Sequence, residues 1–176
     1  MSLIRFLGLG RAASAGGAAE TETVRRVVIA LEGMDPDAAR RLACFAYVLG
    51  RVAGVDQGVS APETAIMEQT IRERGRLTAA DAALVVQIAK EQQALSGGTE
   101  DYLVTREYAS IATRDQKLAL LDCCMAVAAV DAEVSGSEDD VVREIASELG
   151  LSHADFIAAR SSHRDALAVL KDPGRS

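Results

Sequence analysis

Tryptophan is absent from this 176-residue chain and phenylalanine and tyrosine occur only three times each, so an aromatic-rich core is excluded. Ala, Leu and Val supply the apolar residues instead. Ala and Leu are among the best helix formers, and so many small side chains predict closely packed helices. Cysteine is scarce as well. Three of them, an odd number, make no disulfide framework and point to a reducing, cytoplasmic setting. No uninterrupted apolar run reaches about 18 residues, which excludes a transmembrane helix. Positive charge is in deficit: 19 Lys and Arg against 26 Asp and Glu leave a net charge of −7. Such a surface repels phosphate backbones, so nucleic acid is not an expected partner. Cations and basic protein surfaces suit it better, unless the acids only solubilise it. There is no Gly-rich phosphate loop and no nucleophile elbow, and neither His153 nor His163 has a Cys or Ser at a suggestive spacing. Both histidines read as solvated surface, and no enzyme is expected.

Residues 1–20 read as a flexible leader, with Gly, Ala and Ser dominating 10–19. The apolar Met1–Leu9 stretch is interrupted by Arg5 and weakened by Gly8 and Gly10, too short for a signal-peptide core. A short surface-seeking segment is its alternative. Beyond it, start and stop signals recur. A first helix is predicted over Thr23–Leu31 and stopped by Gly33; Asp35-Pro36 opens a second that runs to about Gly54. Ser60-Ala61-Pro62-Glu63 and Ser135-Gly136-Ser137-Glu138 have capping-box form, as does Thr113-Arg114-Asp115-Gln116. Further helices are predicted over Thr78–Leu95, Thr99–Ile111 and from Ser152 to before Pro173, with Gly150 as a helix stop. No stretch alternates like a half-buried strand. The chain reads as all-α, one compact domain of seven to eight helices over 21–170, with a tail at 171–176.

Two parts of the chain repeat. Laying Tyr47–Ala80 over Asp122–Ala154 places Val52 on Val127, Val55 on Val130, Asp56 on Asp131, Ser60 on Ser135 and Glu63 on Glu138. After a one-residue slip, Leu77-Thr78-Ala79-Ala80-Asp81 meets Leu151-Ser152-His153-Ala154-Asp155. Two related three-helix halves follow, about 37–95 and about 114–169, joined by the Thr99–Ile111 helix.

Each half carries an acidic loop, with Asp at the end of one helix and Glu in the first turn of the next. Glu63 and Glu138 suit the N3 place of a capping box, where a carboxylate also favours the helix dipole. Asp56 and Asp131 suit their places less well, because a negative charge near a helix C-terminus calls for compensation. An Asx-type turn or a bound cation supplies it, and carboxylates among hydroxyls and carbonyls select hard ions such as Ca²⁺ or Mg²⁺. These loops are not EF-hands, since the twelfth position falls on Met67 or Val142. Cys44, Cys123 and Cys124 lie in apolar helical stretches and read as small buried hydrophobes.

The pattern Asp-x-x-Val-Ser-x-x-Glu after an apolar helix, present twice, resembles the tellurite-resistance TerB family. The stretch from Met125 through Gly150 carries the likeness most closely, within roughly residues 40–157. The resemblance implies an all-helical fold of two related halves and an acidic cluster that binds divalent metal. It also implies a role in bacterial responses to tellurite or other stress, with protein partners near the membrane. Carried over residue by residue, the cluster comprises Asp56, Glu63, Asp131 and Glu138; Glu133, in the second loop of this chain, is a further candidate ligand beside them. Gln57 and Ala132 stand where the family has Gly after each Asp, and they resist the left-handed turn that Gly permits. Two readings stand. One is a non-enzymatic divalent-cation-binding domain, cytoplasmic or peripheral to the inner face of the membrane. The other is a metal-free protein-interaction module whose acids only cap helices.

Overall fold

A computed structural model of the chain describes residues 18–53, 61–93, 101–129 and 136–171. Residues 1–17 of the expected 1–20 leader, residues 172–176 of the expected 171–176 tail and most of both acidic loops lie outside them, while residues 18–20 and Lys171 are helical instead. Among the described residues there are eight helices and no strand: α1 (Ala18–Glu32), α2 (Pro36–Ala53), α3 (Ala61–Arg74), α4 (Ala79–Gln93), α5 (Asp101–Ile111), α6 (Arg114–Ala128), α7 (Gly136–Glu148) and α8 (His153–Lys171). The all-α expectation holds.

Local signals set these boundaries. Asp35 accepts from the backbone N–H groups of Asp37 and Ala38, both at 3.1 Å, which starts α2 with Pro36 at its first position. Thr113 and Gln116 form a reciprocal capping box at the start of α6. At the end of α7, Leu151 N–H donates to the Ala146 carbonyl and Gly150 N–H to that of Ser147, a Schellman closure with Gly150 at φ +71°.

The duplication is visible in detail. Thr78 caps α4 by accepting from Asp81 N–H at 3.1 Å while its hydroxyl donates to the Asp81 carboxylate at 2.8 Å. Ser152 and Asp155 repeat this at the start of α8, at 3.2 and 2.7 Å. The hydrogen bonds from the Ser152 side chain and backbone hold the Asp155 carboxyl below its ordinary range. Two residues before each cap the chain passes through the left-handed region, at Arg76 (φ 54°) and at Gly150.

Two helices form the centre. Five consecutive residues of α2, Leu42 to Phe45 and Ala46, are buried, and α6 buries Leu120, Leu121, Cys123, Cys124 and Met125. A helix buried on nearly every face must be surrounded by others. Here α2 and α6 pack on one another. Ala39, Ala43 and Ala46 on α2 supply the small side chains that close helix packing needs. The outer helices exchange partners between halves: α3 packs on α6 as well as α4, and α7 packs on α2 as well as α6. This reciprocity is what a pseudo-two-fold relation produces. One continuous apolar core results, running from Val27 to Phe156.

Because Gly150 occupies a left-handed position that L side chains resist, Gly150→Ala should destabilise the fold by about 1 kcal/mol. A lower urea midpoint at unchanged slope would show it.

Candidate functional site

The acidic loops leave from the ends of the two central helices, so the residues that anchor those ends decide how the loops are presented. In the last turn of α2, Arg51 is nearly buried and faces α5 and α7. Its Nη1 donates to Glu148 Oε2 and to Thr105 Oγ1, both at 2.6 Å. Its Nε lies 3.8 Å from Asp101 Oδ2, and Asp101 Oδ1 accepts from the Tyr47 hydroxyl at 2.9 Å. Thr105 in turn donates to the Asp101 carbonyl at 3.1 Å. A cation at this place also favours the helix dipole. With Glu148 6% exposed, two desolvated charges here neutralise one another and hold the end of α2 against the last residue of α7.

A second pair joins the halves, and here the last residue of the crossing helix carries the opposite sign. Arg74, the last residue of α3, reaches α6 and donates to Asp122 Oδ2 at 3.0 Å. Arg74 corresponds to Glu148 in the repeat, and Asp122 to Tyr47. His163 Nε2 lies 2.7 Å from Asp122 Oδ1 and 3.2 Å from Arg74 Nη1. A carboxylate only accepts, so the 2.7 Å contact places a proton on Nε2, which donates to Asp122; the longer approach of Arg74 Nη1, itself a donor, is then no hydrogen bond. Burial opposes ionisation of Asp122, but the hydrogen bonds from His163 and Arg74, with the charge of Arg74, outweigh it and hold the carboxyl below its ordinary value of 3.8.

His163 is therefore not solvated surface: it is 7% exposed and bonded, which corrects the expectation. The imidazole shares the Asp122 carboxylate with Arg74. His153 does lie exposed, stacked 6.1 Å from Phe156. Asp122 itself was missed in the sequence, although a lone acid between Leu120-Leu121 and Cys123-Cys124 in an apolar helix is a signal that something pairs with it. The cysteines are buried and unbridged, as expected. Burial pushes the thiols of Cys44 and Cys123 up to about 12 and raises that of Cys124 too, so none is a thiolate at neutral pH.

Asp56, Asp131 and Glu133 lie outside the described residues. Glu63 and Glu138 are the third residues of α3 and α7, the N3 register that the repeat implies, but their side chains are outside the described set. Among the described residues no group of three or more His, Cys, Asp or Glu could hold a metal ion. No helix among them is long and apolar enough to cross a membrane.

The family model for the tellurite resistance protein TerB matches residues 41–161, more than two-thirds of the chain. No curated protein and no solved structure matches it. The matched span runs from within α2 into α8 and takes in most of α2, all of α6, both acidic loops and both inter-half ion pairs.

Two outcomes follow from the paired charges. Glu148→Ala leaves Arg51 desolvated and should cost about 3–5 kcal/mol, whereas Glu144→Ala, whose exposed carboxylate lies 3.9 Å from Arg51, should cost under about 1. Chemical denaturation of the two variants checks the contrast. The Asp122 carboxyl has a folded pKa below its unfolded one, so its stabilising effect is complete above the unfolded value and is lost as pH falls through the folded value. Asp122→Asn should therefore be less stable than wild type at neutral pH, with the gap closing on acidification below about 4.

Proposed function

The chain belongs to the tellurite resistance protein TerB family, and on that premise we propose a non-enzymatic domain that binds a divalent cation through its duplicated acidic loops. Ca²⁺ or Mg²⁺ is the expected ion, because carboxylate and carbonyl oxygens suit hard cations. Asp56 and Glu63 serve from the first loop, and Asp131, Glu133 and Glu138 from the second. The observation that carries this reading is the shared register: Glu63 and Glu138 each stand third in the helix that follows a central helix. The anchored end of α2 adds support, since Arg51 is engaged with α5 and α7 and fixes the point from which the first loop departs.

Ion binding there would adjust how α3 and α7 seat on the opposite half and so change the surface shown to a protein partner. The domain would act in the cytoplasm, or peripherally at the inner face of the membrane, in a response to tellurite or a related stress. Tellurite is an anion, so its relation to an acidic site is indirect. A metal-free interaction module is the second reading. Gln57 and Ala132 after the loop aspartates favour it, as do Tyr102 and Leu103, which are exposed side by side on the helix joining the halves.

Thermal unfolding of wild type and Asp131→Asn with Ca²⁺, Mg²⁺, Mn²⁺ or Zn²⁺ separates the two. Saturation at about a hundred times Kd adds about 2.7 kcal/mol, a rise of several degrees at this size. A cation-specific rise that Asp131→Asn abolishes is the expected result. An unchanged Tm with every cation at millimolar concentration would leave the interaction module standing.

A further inference from the structure

A second site is built where the two halves meet, and none of its lining belongs to the acidic loops. A cleft of about 330 Å³ opens between α2, the turn joining α3 to α4, α5 and α6. That is within the size range of small-molecule sites. Its floor is apolar: Leu42, Phe45 and Tyr108 line it, and the two rings meet edge to face with centroids 6.1 Å apart. Its polar lining includes Arg41 and Arg76.

Those two arginines stand apart from the rest. Among the arginines with described side chains, Arg41, Arg72 and Arg76 make no ion pair, hydrogen bond or ring contact, although Arg41 acts electrostatically on Tyr108. The other nine are engaged, as the excess of acids would lead one to expect. Two guanidinium groups without a hydrogen-bonded or ion-paired partner thus face one cleft, where Asp81 and Asp115 offset their charge. Arg76 also holds a left-handed backbone, which costs a side-chain-bearing residue about 1–2 kcal/mol. At the equivalent place in the second half the chain uses Gly150. An Arg at a strained position that the duplicate fills with Gly points to a side chain with a use of its own.

We propose that this cleft binds a small organic monocarboxylate, its apolar body on Phe45 and Tyr108 and its carboxylate between Arg41 and Arg76. Guanidinium groups match a carboxylate's two oxygens in geometry and charge. Asp81 and Asp115 also line the cleft, so a second anionic group on the ligand would meet like charge.

The test uses phenylacetate as probe, with benzyl alcohol as its uncharged counterpart, titrated into the whole chain and followed by NMR. Saturable shifts in the residues of the cleft are expected with phenylacetate, and much weaker ones with benzyl alcohol. Arg41→Gln and Arg76→Gly should each weaken phenylacetate about tenfold, the loss of one charged hydrogen bond. Arg76→Gly is the decisive variant, because Gly accepts the left-handed backbone and the protein should unfold at the wild-type temperature or above it. Undiminished phenylacetate binding in a folded Arg76→Gly protein would overturn the proposal. So would equal binding of benzyl alcohol, or no saturable shift at millimolar phenylacetate.

Discussion

Burying a helix on almost every side is possible only if other helices enclose it, and this fold must do so twice, for α2 and for α6. With no tryptophan and few other rings, the chain cannot fill wide gaps with bulk. It brings backbones close instead, through Ala39, Ala43 and Ala46 on α2 and through thiols that serve as small apolar groups on both central helices. Most other features follow from that. Of the outer helices, α3 and α7 are placed where they can cover a central helix of the opposite half, which is why they cross. The acidic loops are the connections that carry the chain from a central helix to its crossing neighbour.

Polar groups within such a packing must be matched, and among the described residues they are. No buried side-chain nitrogen or oxygen lacks a partner. Arg51 and Glu148 satisfy one another beside Thr105 and Asp101, and Asp122 is held by Arg74 and His163. Both clusters sit at junctions between the halves, so electrostatic order and the relative placement of the halves are one property. The unpaired Arg41 and Arg76 are conspicuous against this background.

Much of the architecture was legible in the residues. Capping signals at Asp35, Thr78, Thr113 and Ser152 and the stop at Gly150 are local chemistry, and the helices begin and end accordingly. The repeat was legible because it preserves spacing across caps and apolar faces. Long-range pairing was not. Nothing in the spacing of Arg51 and Glu148, or of Arg74, Asp122 and His163, announces that they meet, since each contact joins segments more than forty residues apart. His163 was misread for that reason: exposure is a common default for a lone histidine, and only the fold brings Asp122 to it. The left-handed backbone at Arg76 was equally hidden, because the residue type argues against it.

The reversed polarity of the two inter-half pairs has a consequence for assembly. Related halves with identical seams could seat α3 in the place of α7, or trade helices between two chains, with little loss of apolar contact. Here the helix ending in Arg74 would bring its cation to Arg51, and the helix ending in Glu148 would bring its carboxylate to Asp122. Either exchange brings like charges together, whereas the native seating brings opposite ones together. The sign of one terminal residue on each crossing helix thus labels which half is which and favours one way of closing the repeat.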